Sequence, residues 1–212
     1  MRKVSDSTIK RLSMYYRALS EFESKGERTI SSEHLAEKQR LTPAQVRKDL
    51  SLFGSFGTRG LGYQVKELKE KIAGILGLGR SWNVALVGVG NVGSALVSYK
   101  EFSKHGFNIK LLFDNDQRKI GKNHKGIVVS DAKDLVRKLK ENEIEMVIIA
   151  VPSQAAQEVA DEVVSAGVKS ILNFAPSQIK VPKEVVLRYV NMAVELEHLS
   201  FCLTNRGFLV KS

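Results

Sequence analysis

The sequence predicts an α/β protein of two domains, a basic helical module followed by a parallel-sheet module, ended by an apolar helix. Three observations predict it. Val84-Ala85-Leu86-Val87-Gly88-Val89-Gly90-Asn91-Val92-Gly93 reads as a buried strand, a glycine turn and a helix start, with the spacing that binds dinucleotides. The chain before that turn is basic: residues 1–80 hold 16 Lys and Arg against 9 Asp and Glu, so most of the net charge of +10 sits there. Beyond the turn, short apolar runs alternate with helical patterns, as parallel strands with crossover helices do.

The 212 residues are 43% apolar, enough for real cores and too apolar for disorder. No run approaches the roughly 18 apolar residues of a membrane span. The start, Met1-Arg2-Lys3-Val4-Ser5-Asp6, lacks the apolar core of a signal peptide, so the cytoplasm is the expected compartment. With Cys202 the single cysteine, neither an internal disulfide nor a cysteine metal cluster is expected, and no metal site is. A basic excess confined to one domain points to a polyanion partner, against the bland alternative of a solvated basic surface.

The first helix is capped by Ser7 and carries Ile9, Leu12, Tyr16 and Leu19 on one stripe, widened by Tyr15 and Phe22, until Gly26. Ser31-Ser32 start a short second helix with Leu35 and Ala36 inward. Thr42-Pro43-Ala44-Gln45 holds three start signals: an N-cap, a proline at the first helical position, and a glutamine to complete a capping box. That third helix runs to about Phe53. Val46, Leu50 and Phe53 face inward, while Ala44, Arg47, Lys48 and Ser51 share the opposite face. Two cations among small neighbours let a helix approach a major groove closely. Ser31, Ser32 and Gln45 join Arg47, Lys48 and Ser51 as candidate DNA contacts. Phe56 to Val65 follows as a glycine-rich hairpin with Leu61, Tyr63 and Val65 alternating, and Arg59 at its tip suits a narrow minor groove. A hairpin after a basic helix makes a winged helix-turn-helix. Residues 66–78 form a helix with Leu68, Ile72, Ile75 and Leu76 on one stripe, and Gly77-Leu78-Gly79-Arg80 breaks it.

Trp82 to Val87 is apolar on both faces, as a central parallel strand should be. Gly88 permits the tight turn, Gly90 lets backbone approach a pyrophosphate, and Gly93 lets helix and strand pack closely. The helix from Val92 turns its positive end to the phosphates. Ile109 to Phe113 is the second strand, ended by Asp114, 21 residues after Gly93. A carboxylate there bonds the adenosine ribose hydroxyls and repels a 2′-phosphate, which favours NAD over NADP. Gly88, Val89, Gly90, Asn91, Val92, Gly93 and Asp114 are therefore the candidate cofactor residues of a Rossmann-like domain. Residues 131–141 read as helix, Met146 to Val151 as a buried strand ended by Pro152, 153–166 as helix, and Ser170 to Asn173 as a strand. Loops after such strands line the ligand crevice, so Val151, Pro152, Asn173 and Phe174 are added. A strand over 186–190 precedes a terminal helix over 192–203. Its stripe of Met192, Leu196, Leu199 and Leu203, beside Phe201, needs a surface to cover it, in its own core or in a second subunit.

The expected organisation is a winged-helix DNA-binding domain over 1–80, a Rossmann NAD(H)-binding domain over 81–190 and a C-terminal helix over 191–212. An NAD-dependent oxidoreductase with a basic appendage is a weaker reading. His34, His105, His124 and His198 are scattered, no catalytic motif surrounds them, and about 20 residues after the last strand leave no room for a substrate domain. A sensor of another nucleotide, such as coenzyme A, is the other alternative; Asp114 opposes it, because coenzyme A carries a 3′-phosphate near the ribose.

Gln45-Val46-Arg47-Lys48-Asp49-Leu50-Ser51, the phenylalanine–glycine pairs, Arg59-Gly60-Leu61-Gly62-Tyr63 and Gly88-Val89-Gly90-Asn91-Val92-Gly93 resemble the redox-sensing transcriptional repressor family Rex. So do Ile171-Leu172-Asn173-Phe174-Ala175-Pro176 and Val194-Glu195-Leu196. The resemblance covers essentially the whole chain. It implies a homodimer on an inverted-repeat operator in double-stranded DNA, released by NADH, with NAD⁺ competing, and C-terminal helices exchanged between subunits. It also implies DNA contacts from Arg47, Lys48, Asp49, Arg59 and Gly60, a nicotinamide neighbour in Tyr99, and an interdomain switch through Arg17. In some relatives that arginine pairs with an aspartate just before the terminal helix; here the position is Asn191, followed by Met192 where some relatives have an aromatic residue.

Overall fold

A computed structural model describes residues 4–58 and 61–205. The chain forms two compact units, residues 1–80 and 81–212. The first is helical. Helix α1 (Asp6–Ser24) is capped by Ser5, whose hydroxyl accepts from the Thr8 amide, two residues ahead of the cap expected at Ser7. Its buried stripe is Leu12, Tyr15, Ala18, Leu19 and Phe22; Ile9 stays exposed and Tyr16 only partly covered, so the true face is rotated from the expected one. Strand β1 (Thr29–Ile30) leads into α2 (Ser32–Lys38), capped by Ser31, and then α3 (Pro43–Ser51), capped by Thr42. Val46 and Leu50 of α3 meet Leu12 and Leu19 of α1, Leu35 of α2, and Leu68 and Ile72 of α4 (Val65–Leu76) in one core.

The hairpin is shorter than its alternation predicts. Among the described residues only β2 (Tyr63–Gln64) forms a strand there, antiparallel with β1, and an isolated bridge joins Thr58 to Gly62. Leu61 is exposed, and Val65 already opens α4, where helical packing claims it.

The second unit is built on a seven-stranded sheet in the order β5-β6-β4-β3-β7-β8-β9. The strands are β3 (Trp82–Val87), β4 (Phe107–Asp114), β5 (Asn123–His124), β6 (Ile127–Asp131), β7 (Met146–Ile149), β8 (Ser170–Asn173) and β9 (Val186–Tyr189). All neighbours are parallel except β5 with β6. The six parallel strands run 3-2-1-4-5-6, the doubly wound order, which reverses beside β3 and leaves a crevice at the carboxyl ends of β3 and β7. Side chains of β3 alternate between two cores. Ala85 and Val87 meet Leu135 and Leu139 of α7 (Leu135–Glu141) and Ala156, Ala160 and Val163 of α8 (Ala156–Ser165). Val84 and Leu86 meet Leu96, Val97 and Phe102 of α5 (Asn91–Val97) and α6 (Lys100–Lys104). Period-2 burial on both faces is what a central parallel strand requires. The chain then ends its described part in α9 (Met192–Thr204), none of whose residues is buried.

Candidate functional site

Helix α3 of the first unit is fastened from behind. Helical spacing from Val46 puts Asp49 on the inner face, 1% exposed. Its carboxylate accepts from Arg11 Nε at 2.5 Å and Nη2 at 2.7 Å, from the Tyr15 hydroxyl at 2.9 Å and from Gln45 Nε2 at 2.8 Å. Burial alone would push its pKa up; the donations from Arg11, Tyr15 and Gln45 outweigh it and hold the carboxyl below its usual 3.8. Burial, reinforced by Asp49, drives the Tyr15 hydroxyl well above its ordinary value. The resemblance places Asp49 among the DNA contacts; with every oxygen committed and no exposed surface, it positions α3 instead. Gln45 corrects the capping box in the same way: its amide N–H does bond Thr42 Oγ1 at 3.2 Å, but its side chain turns to Asp49 rather than back to the cap.

The outer face carries the cations. Arg47 is exposed, with Nη1 donating to Ser32 Oγ at 2.8 Å and lying 3.4 Å from Glu33. Lys48 is exposed and makes no ion pair among the described residues. Ser31 spends its hydroxyl capping α2, Ser32 is buried under Arg47, and the Ser51 hydroxyl donates to the Lys48 carbonyl, so these three shape the face. Arg59 and Gly60, the expected wing contacts, lie outside the described residues.

The second unit brings the predicted cofactor residues to one sheet edge. Gly88 adopts φ +96°, and a Cβ on it would sit 2.5 Å from the Ala150 carbonyl. A Cβ on Gly93 would overlap the Gly88 carbonyl outright. The turn therefore tolerates no side chain at either position, and helix α5 packs onto the strand end because of it. Gly90 caps α5 with no side-chain bond of its own, and Asn91 and Val92 are exposed beside it. The Gly88 amide donates to Phe113, that of Ala150 to Val87, and that of Phe174 to Ile149, so the ends of β3, β4, β7 and β8 are tied into one rim, with Val151 half-buried and Pro152 exposed on it.

Asp114 ends β4 at 7% exposure. Its Oδ2 accepts from the Val89 amide and from Lys119 Nζ, each at 2.9 Å, and Oδ1 accepts from the Asp116 amide at 2.9 Å. Burial pushes this carboxyl up, but the donors prevail and it too lies below its ordinary value. The Val89 amide is thereby spent inside the protein. Asn173 is similarly committed. At 0% exposure, its side chain accepts from the Ala175 amide and donates to the Ala175 and Ser177 carbonyls, so it folds the loop after β8 and does not offer itself to a ligand. Phe174 is half-buried against the same core as β3. Tyr99 is 51% exposed and meets Phe102 edge to face at 5.1 Å. Arg17 is exposed on α1, and Asn191 caps α9 by accepting from the Ala193 amide at 3.0 Å.

Three residues that matter to these sites carry no site role in the sequence reading. Arg11 and Tyr15 follow from the inward phase of Asp49, which demands a partner. Lys119 lies in a turn with no periodic signal to mark it. Among the described residues no group of three or more His, Cys, Asp or Glu is arranged to hold a metal, and no helix is long and apolar enough to cross a membrane.

Comparison with known proteins gives both halves a counterpart. Residues 3–51 match the family model "Putative DNA-binding protein N-terminus", and residues 79–177 match "CoA binding domain". Whole-chain relatives are named redox-sensing transcriptional repressor Rex: that of Desulfitobacterium hafniense is 51% identical, covering 96% of this chain and 97% of its own, and that of Thermus thermophilus is 45% identical, covering 96% and 95%. Among solved structures, the Rex-family repressor RSP in complex with β-NAD⁺ and operator DNA superposes with a TM-score of 0.94 at 38% identity, covering 98% of this chain and 95% of its own. RSP in complex with β-NADH gives 0.88 at 36% identity, covering 98% and 97%.

Proposed function

The chain belongs to the Rex family of redox-sensing transcriptional repressors, and from that premise we propose that it reads the NADH/NAD⁺ balance on its parallel-sheet unit and reports it by holding or releasing operator DNA through its basic unit. It is a repressor and not an enzyme. One observation carries the reading: a glycine turn that admits no side chain, fastened to Asp114 at the reversal point of a doubly wound sheet, shares a chain with a braced helix whose outer face presents Arg47 and Lys48.

In this reading residues 1–80 are the DNA-binding domain, 81–190 the NAD(H)-binding domain and 191–212 a dimer element. Arg47 and Lys48 enter the major groove, and Arg59 with Gly60 meets the minor groove. The pyrophosphate lies on the turn Gly88 to Gly93, the adenosine ribose on Asp114, and the nicotinamide near Tyr99, Val151, Pro152 and Phe174. The working species is a cytoplasmic homodimer on an inverted repeat, its apolar α9 stripes covered by the partner copy. Arg17 and Asn191 are the proposed switch residues, Asn191 lacking the charge that an aspartate would bring to its position.

The match of residues 79–177 to a coenzyme A-binding model supports a second nucleotide as the competing ligand. One titration separates them. Operator binding is followed by fluorescence anisotropy while NADH, NAD⁺, NADPH and coenzyme A are added separately. NADH alone is expected to release the DNA. Coupling is reciprocal, so saturating operator must weaken NADH binding by the factor by which NADH weakens operator binding. Equal NADH affinity with and without operator refutes redox sensing through DNA release.

A further inference from the structure

The carboxylate that would face the adenosine ribose is not a bare charge. Lys119 Nζ lies 2.9 Å from Asp114 Oδ2, and the Lys119 amide is itself held by the Asp116 carbonyl at 2.8 Å, which turns the side chain back over the strand end. Asp116 in turn holds Arg118 by two side-chain bonds of 3.0 and 2.8 Å. Within residues 114–119 two carboxylates and two cations therefore cancel. A lone aspartate at this position rejects a 2′-phosphate by like charge, but an ammonium in contact with it removes most of that field. The same ammonium is a phosphate donor held in check: it carries three N–H groups on a flexible stem, it donates to Asp114 Oδ2, and its side chain is 38% exposed. The geometry around Oδ1 differs, since it takes only the Asp116 amide and keeps acceptor capacity for a hydroxyl.

We propose that Lys119, through its ion pair with Asp114, determines how this protein distinguishes a ribose 2′-hydroxyl from a 2′-phosphate: Asp114 accepts the hydroxyl and sequesters the ammonium, and Lys119 becomes the 2′-phosphate ligand once that carboxylate is neutral. The inference rests on the nucleotide reading above and extends it to a residue which that reading does not use.

The test is calorimetric titration of the full chain with NADH and NADPH. The variants are Asp114→Asn, Lys119→Met, the double variant, and Asp114→Asn with Lys119→Arg. Asparagine keeps an acceptor for the Val89 amide, so the turn stays fastened. Asp114→Asn is expected to raise the NADPH/NADH affinity ratio at least tenfold. Adding Lys119→Met should return the ratio to within threefold of wild type, whereas adding Lys119→Arg should preserve the gain. Lys119→Met alone should leave NADH affinity within threefold, because the Val89 and Asp116 amides still hold the carboxylate. Equal ratios in Asp114→Asn and the double variant overturn the proposal. So does a loss of NADH binding in Lys119→Met as large as that in Asp114→Asn, which would make Lys119 a mere brace for the carboxylate. A wild-type chain that binds neither nucleotide defeats the nucleotide reading itself, and this inference with it.

Discussion

Replacing Arg11 by methionine removes the charged half of the brace behind α3. Asp49 would keep two neutral donors, the Tyr15 hydroxyl and Gln45 Nε2, and forfeit the two charge-assisted hydrogen bonds of 2.5 and 2.7 Å from the guanidinium. Deleting one partner of a buried ion pair costs about 3–5 kcal/mol, because the other charge stays buried without compensation. Two donors remain and the arginine side chain touches solvent at 19% exposure, so the lower end, about 3 kcal/mol, applies. For a unit of this size that corresponds to a melting point lower by about 12–24 °C. Segment-resolved hydrogen exchange should show the loss in α1 and α3 and not in β3, β7 or β8. The acid limb moves as well. Asp49's folded pKa lies below its unfolded value near 3.8, so its contribution is complete above that pH and disappears as the pH falls through the folded value. Without Arg11, burial lifts the folded value toward or above the unfolded one, so the loss of stability on acidification shrinks or reverses. Arg11→Met combined with Asp49→Leu should recover most of the stability, since removing both partners leaves no buried charge. Unchanged exchange in α3 of Arg11→Met, or a double variant no more stable than the single one, would refute the brace.

Arg47→Ala, Lys48→Ala and Arg59→Ala should each weaken operator binding by about 1–3 kcal/mol and flatten its salt dependence; anisotropy titrations at several salt concentrations check this, and unchanged affinity in all three would sink the assignment of the reading face. Truncation after Val190 should yield monomer or aggregate, because each leucine of the α9 stripe stands to contribute about 1.5–3 kcal/mol on burial; a truncated chain that sediments as a stable dimer with normal operator binding contradicts the dimer role. Asn191→Asp should sharpen release by NADH while leaving operator affinity of the nucleotide-free protein within about threefold, since either residue caps α9 equally well; identical NADH sensitivity counts against Asn191 as a switch element.

Much of this is legible in the sequence, because caps, prolines and glycines act locally. Thr42 with Pro43, Ser31, Gly77 and the turn at Gly88 to Gly93 mark element ends by chemistry that needs no tertiary context. What escapes is long-range. The β5–β6 hairpin has only Ile127-Val128-Val129 as its apolar signal, and it exists because β6 pairs with β4. Gln45 satisfies a local template and is then recruited by Asp49. Asp49 itself, grouped with the groove contacts by resemblance, stands three residues from Val46 and so shares its inward phase. The helix after the glycine turn breaks at Ser98, giving α5 and α6, without a proline or glycine to announce it. Lys119 cannot be found by pattern at all, since its meaning lies in a contact across a turn.

Both units share one construction. A nearly buried aspartate, Asp49 or Asp114, has its charge met by a cation and neighbouring donors of its own unit. A surface braced in that way has little freedom to be remodelled by a ligand bound elsewhere, because moving it would expose an uncompensated buried charge. A ligand shifts an equilibrium only through its different affinity for two arrangements. Helix α9 presents a different kind of surface, with Leu196 and Leu203 67% and 68% exposed. Apolar surface of that extent costs free energy in water and is relieved by whatever covers it. Covering α9 differently in the NADH-bound and DNA-bound states would give NADH its differential affinity, and would do so without altering one contact inside either site.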